Sequence, residues 1–211
     1  MRFAVSVVSV ATAVLLAGCS GGSAPSTAPG ETNAPPPSSA AGKTLPYAGA
    51  PKVEQPLPES VLSVHPCDGG LTPEQVKTLL GKPTQGEHAD NPALGTECHW
   101  SNRDAGSLAT VLYTTKVTDG LSAVYANTKP QAKLWRPLAP VQGLPAVAAS
   151  VYQQQAGKDS FCQVTVGISD QKTIDASVTL GYSQIGKKDP CDVAAILADM
   201  VVTNLKQKAG A

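Results

Sequence analysis

From residue 61 onward, the spacing of apolar and polar residues is regular enough to place most elements of one domain. Thr72-Pro73-Glu74-Gln75 reads as a helix start, with Thr72 at the N-cap, proline at the first helical position and Gln75 where a capping box needs it. That helix runs through Val76, Leu79 and Leu80 and stops at Gly81, with Pro83 behind it. Strands are predicted near residues 97–101 and 107–115, followed by a short helix over 121–127. Three more strands are predicted near 149–155, 161–168 and 173–181. A period of two puts Cys162, Val164, Val166 and Ile168 on one face of the second of these. In the third it groups Ile174, Ala176, Val178 and Leu180, leaving Thr173, Asp175, Ser177 and Thr179 outside. The short connections make these three strands an antiparallel meander.

A last helix opens at Asp189-Pro190, with Asp192 in its first turn and Lys206 and Lys208 at its end, as the helix dipole prefers. Its apolar stripe is read as Val193, Ile196, Leu197, Met200, Val201 and Leu205. Strands bracketed by helices predict an α+β fold: an antiparallel sheet of about five to six strands, packed by N- and C-terminal helices.

The chain before residue 61 has a different texture. Arg2 and the apolar run from Phe3 to Leu16 have the form of a signal peptide, too short to span a bilayer. The run ends in Leu16-Ala17-Gly18-Cys19, small residues before a cysteine, which is what a lipoprotein signal peptidase accepts. Residues 1–18 are therefore read as a lipoprotein signal peptide and Cys19 as the lipid attachment residue. Two acyl chains give the stable anchoring that one does not. Half of the 18 prolines fall between residues 20 and 60. Residues 19–60 are accordingly read as the lipidated cysteine and a disordered Pro/Ser/Ala-rich stalk, and 61–208 as a single domain. The implied location is the outer face of the cytoplasmic membrane, exposed to the cell wall.

Charge narrows the choice of partner. The 211 residues carry 16 Lys+Arg against 16 Asp+Glu, and only 15% of residues are charged. A neutral chain with so few charges lacks the basic footprint of a nucleic-acid binder. Of five cysteines, Cys67, Cys98, Cys162 and Cys191 remain once Cys19 is lipidated, an even set in an oxidising place. Three pairings are open, of which Cys67–Cys98 and Cys162–Cys191 are favoured because each ties a helix start to a strand. None of the four has the CxxC or CxxH spacing of a zinc site.

Candidate chemistry is sparse. His65, His88 and His99 fall in no metal-binding spacing, and His88 lies in a polar stretch read as a solvated loop. There is no GxSxG elbow, Walker loop or GxGxxG. Asp104, Asp119, Asp170, Asp175 and Asp189 occupy turns, caps or outward strand positions. Trp135-Arg136 is the one cluster with the chemistry to stack on a sugar or pair with an anion, and His99 joins it as a candidate ligand-binding residue. No catalytic residue, cofactor or metal is expected.

Taken in order, the lipobox, the Pro/Ser-rich stalk, Pro66-Cys67-Asp68, Leu71-Thr72-Pro73-Glu74-Gln75, Cys98-His99-Trp100, Gly143-Leu144-Pro145-Ala146 and Asp189-Pro190-Cys191 resemble the actinobacterial lipoproteins grouped as domain of unknown function 3558. The resemblance covers residues 61–207 and implies a surface lipoprotein; it brings no catalytic residues. The function expected is a non-enzymatic binding or sensing module, held to membrane lipid through acylated Cys19, whose ligand is a wall glycan, a lipid or an envelope protein. The alternatives are a structural lipoprotein docked on another envelope protein, and an envelope hydrolase whose residues converge only in space.

Overall fold

The computed structural model describes residues 43–153 and 155–210. The signal peptide, Cys19 and the stalk up to residue 42 lie outside the described residues. The domain is α+β. Its seven antiparallel strands are β1 (Glu87–His88), β2 (Gly95–Asn102), β3 (Ser107–Thr114), β4 (Leu134–Pro137), β5 (Ala146–Ser150), β6 (Phe161–Gly167) and β7 (Thr173–Thr179), ordered β1-β2-β3-β7-β6-β5-β4. The two strands beyond the expected count are the short edges, β1 and β4. β1 sits where a solvated loop was expected, because Glu87 and His88 pair with His99 and Cys98. β5 begins three residues earlier than predicted and ends at Ser150. It is buried on both faces, so it carries an unbroken apolar run and no alternation.

One face of the sheet is covered by helices. α1 (Pro66–Gly69) and α2 (Pro73–Leu80) lie over β2 and β3, and α4 (Pro190–Ala209) lies over β5, β6 and β7. α2 has the predicted reciprocal cap: Gln75 N–H donates to Thr72 Oγ1 and Thr72 N–H to Gln75 Oε1. Asp189 caps α4 by accepting from Cys191 N–H at 2.7 Å. The buried stripe of α4 is Ala194, Leu197, Ala198, Val201, Val202 and Leu205, while Ile196 is 52% exposed. The stripe read from sequence was thus rotated by part of a turn. The alanines win the inner position because small side chains let the helix approach the sheet. No helix among the described residues is long and apolar enough to cross a membrane.

Both favoured disulfides are present. Cys67–Cys98 joins α1 to β2, and Cys162–Cys191 joins β6 to the first turn of α4, with sequence separations of 31 and 29. Gly86 packs directly on the first, where any Cβ would strike Cys98 Sγ and the Trp100 indole.

The other face is partly covered by α3 (Gly120–Ala123), its π-helical continuation Val124–Thr128, and the segment 43–57. That segment was read as stalk; it belongs to the domain. Ala50, Val53 and Leu57 are buried, and Leu57 N–H donates to Ile168 O at 3.0 Å. Val53 N–H donates to Asp170 Oδ1, and Tyr47 donates through its hydroxyl to Asp119 Oδ2 and through its amide to Ser122 Oγ. Composition missed this because three apolar residues three or four positions apart suffice to dock a Pro-rich segment whose proline-restricted backbone has less entropy to lose.

Candidate functional site

Strand register gives the first test of the candidate residues. Glu87, His99, Thr110, Ser177, Gln163, Ala149 and Trp135 form one cross-strand row on the face away from α4. His99 and Trp135 therefore share a face but stand five strands apart, about 24 Å at the usual strand spacing. His99 Nε2 pairs with Glu97 Oε1 at 2.9 Å. Trp135 packs edge-on against Tyr125, with centroids 4.9 Å apart, and Lys129 Nζ lies 5.6 Å from the Trp135 ring. Arg136 points to the opposite face, where it forks onto Asp189 and Asp192 of α4 at 3.0 Å each. The structure does not bring His99, Trp135 and Arg136 together. Arg136 ties edge strand β4 to the start of α4.

The adjacent row holds a carboxylate on the central strand. Asp175 of β7 accepts from Thr114 Oγ1 at 2.7 Å, from Gln163 Nε2 at 2.8 Å and from Thr165 Oγ1. These partners, on β3 and β6, are all neutral. Burial pushes the Asp175 carboxyl above the ordinary range, against the pull of the three hydrogen bonds, and the nearby Glu97 charge adds to the rise. The lone aspartate within a strand otherwise made of Thr, Ile, Ala, Ser and Val was the sequence signal for this cluster. Asp175 does take the outward strand position expected of it, but there its carboxyl is enclosed by Thr114, Gln163 and Thr165.

The fold also gathers residues that sequence spacing kept apart. His65 and His88 stack with ring centroids 3.7 Å apart, and their nitrogens lie within 4.8 Å of Cys67 Sγ. Cys67 is in a disulfide, so no thiolate is on offer there. His65 Nδ1 accepts from Cys67 N–H, which places the imidazole proton on Nε2, facing Asp90 Oδ1 at 2.8 Å. Its bond to His65 holds the Asp90 carboxyl below the ordinary range. Both ring nitrogens of His65 are thereby engaged in capping α1 and holding the β1 region.

A concavity lies at one end of the sheet, a cavity of about 370 Å³ between α2, the β2–β3 hairpin, the end of β7 and the loop leading to α4. Its walls are apolar at Leu80, Leu108, Val178, Leu180 and Val193, and polar at Asn102, Ser107 and Gln184. Asn102 fixes its shape: Nδ2 donates to Leu80 O at 2.9 Å, closing the end of α2, and Oδ1 accepts from Ala105 N–H. The hairpin is locked to the far wall by Tyr182 N–H donating to Ala105 O. Gly106, at φ +67°, leaves room for the Tyr182 ring that any side chain there would hit. Ser107 Oγ is buried with no hydrogen-bond partner among the described residues. Leu80, Val178, Leu180 and Val193 were read from sequence only as packing positions, and none of the lining residues was read as part of a site, because four separate segments supply them.

A family model described as a protein of unknown function (DUF3558) matches residues 14–204 of the chain. No curated protein and no solved structure matches it.

Proposed function

The chain belongs to the DUF3558 family of proteins of unknown function, and on that premise we propose that it is a cell-envelope lipoprotein presenting a non-catalytic ligand-binding or sensing domain. The anchor rests on sequence: the apolar run to Leu16, then Ala17-Gly18-Cys19. The observation that carries the binding role is the 370 Å³ cavity, in the size range of small-molecule sites and with the usual mix of apolar wall and few polar groups. Its walls are held by capped elements and by Asn102, so the site is formed before any ligand arrives. Segment 43–57, which leads back toward Cys19, docks at the Ile168–Asp170 end of the β6–β7 hairpin. The cavity lies at the other end of β7, so that segment leaves it open.

Native mass spectrometry of the full chain purified from an envelope extract tests the binding role. A small-molecule mass that is lost on denaturation, and absent from Thr78→Trp, supports the cavity as the site, since Thr78 is an exposed residue on its lining. An adduct that persists in Thr78→Trp and in Ser183→Trp, Ser183 likewise being an exposed residue of the lining, places the ligand elsewhere, and no adduct in any preparation overturns the reading. For the anchor, Cys19→Ala is expected to move the protein from the detergent to the aqueous phase; unchanged partitioning overturns it.

A further inference from the structure

The sheet face away from α4 carries an aromatic ridge at its β5–β6 end. Tyr152, 61% exposed, meets Phe161 of β6 edge to face, with ring centroids 5.2 Å apart and planes at 90°. A hollow open to solvent lies on each side of this pair. One, of about 320 Å³, is bounded by Lys158, Asp159, Ser160 and Thr179. The other, of about 230 Å³, is bounded by Thr128, Ala149, Ser150 and Gln163.

Each hollow holds an acceptor that the protein fixes without using up. Asp159 takes the Gln155 N–H on Oδ1 at 2.8 Å, and its Oδ2 has no partner among the described residues. Gln163 gives its Nε2 to Thr165 and Asp175, which pins the amide and leaves Oε1 with no donor among the described residues. Lys158 stands beside Asp159, so the first hollow carries no net charge.

A fitting ligand brings an apolar face for the exposed ring and hydroxyl or amide donors around its rim. A hydrocarbon chain would strip both pinned acceptors of water and return nothing. A peptide cannot add to the sheet at this point, because both edges of β6 are taken by β5 and β7. A sugar ring meets both demands: its C–H face packs on an aromatic ring, and its hydroxyls donate to a carboxylate and to an amide oxygen. The ridge is also remote from the segment that leads back toward Cys19. That segment docks at the Ile168–Asp170 end of the β6–β7 hairpin, and Phe161 begins β6 about 20 Å away at the usual rise per residue.

We infer that this ridge binds a neutral oligosaccharide, with one sugar ring on Tyr152 and flanking hydroxyls served by Asp159 Oδ2 and Gln163 Oε1. The surface stands independently of the cavity reading, although Thr179 borders both.

The test is calorimetric titration of the full chain, in a detergent without a sugar headgroup, with cellotetraose, maltotetraose and chitotetraose. At least one is expected to bind, and to bind at least about tenfold more weakly to Tyr152→Ala and to Asp159→Asn. Tyr152→Phe keeps the ring and is expected to restore the affinity. Because Tyr152 is exposed, Tyr152→Ala is expected to keep a cooperative thermal melt, which separates a lost contact from a lost fold. Thr78→Trp, in the cavity, is expected to leave oligosaccharide binding unchanged. No binding of any of the three overturns the assignment, as does binding that Tyr152→Ala leaves intact. Binding lost in Thr78→Trp but kept in Tyr152→Ala overturns the ridge and moves the sugar to the cavity. Binding of polyproline in place of the sugars overturns it as well, and gives the ridge to a peptide.

Discussion

The side-chain amides of Gln75 and Asn204 hydrogen-bond each other in both directions, Asn204 Nδ2 to Gln75 Oε1 at 2.8 Å and Gln75 Nε2 to Asn204 Oδ1 at 3.3 Å. Gln75 Oε1 also accepts from Thr72 N–H, and Asn204 Nδ2 donates to Gly70 O. One pair of amides thus joins the capping box of α2 to the buried side of α4, across 129 residues of sequence. Through α2 it also steadies the wall of the cavity.

Replacing Asn204 by Leu keeps the volume roughly constant but leaves Gly70 O and the Gln75 amide short of partners. The expected loss is about 2 kcal/mol, which lowers the melting temperature by about 4–8 °C for a domain of this size. Thermal melts of Asn204→Leu, Gln75→Leu and the double variant check it. The double variant is expected to lose less than the sum of the two, because the second change removes an amide already unpaired.

Asp175 gives the stability a distinctive pH dependence. Its carboxyl is raised in the folded state by burial, so between the unfolded value, about 3.9, and the folded one the native protein holds a proton that the unfolded chain has released. Stability from this group is therefore present below the unfolded value and declines as pH rises through the folded value. Asp175→Asn removes the ionisation and keeps an oxygen for Gln163 and Thr165. Urea titrations between pH 4 and 8 are expected to show the wild type losing stability relative to Asp175→Asn as pH rises. Parallel curves would place the carboxyl back in the ordinary range.

Each disulfide closes a loop of about 30 residues between a helix and the sheet. In the chain-entropy account each is worth about 3.5 kcal/mol. Cys162→Ala/Cys191→Ala and Cys67→Ala/Cys98→Ala are each expected to melt at least about 7 °C lower than wild type. The Cys67/Cys98 variant is expected to lose more: with α1 released from β2, the His65–Asp90 bond and the Trp100 packing lose their support. Melts of the two double variants side by side read the difference.

The strands whose faces differ were legible in the sequence. β6 and β7 have buried residues two apart, and their register agrees with the predicted faces. α2 was legible to its cap, since capping chemistry is local. What escaped was set by distant parts of the chain. Ile196 and Ala198 are equally apolar in pattern, and only the sheet beneath α4 decides which turns inward. Trp135 and Arg136 are neighbours in sequence, yet strand pleating sends one to Tyr125 and the other to Asp189. The cavity was illegible for the same reason, being assembled from α2, β3, β7 and the loop before α4.

The boundary of the domain makes the sharpest test of what composition concealed. A chain beginning at residue 58 keeps every predicted element but loses Val53 and Leu57 from the core, together with the amide bonds to Asp170 and Ile168. It also frees Asp119 and Ser122, which Tyr47 holds at the start of α3. Burial of two aliphatic side chains of this size contributes about 3–6 kcal/mol. Two backbone donors leaving their partners add about 1 kcal/mol each. Chains beginning at residues 43 and 58 are therefore expected to differ in urea midpoint, the longer one matching a chain that begins at residue 20. Hydrogen exchange is expected to show the loss first at α3 and at the Ile168–Lys172 turn, with the core of β6 and α4 still protected. Equal midpoints for all three chains would return residues 43–57 to the stalk, and would leave the Pro-rich composition a sufficient guide to where the domain starts.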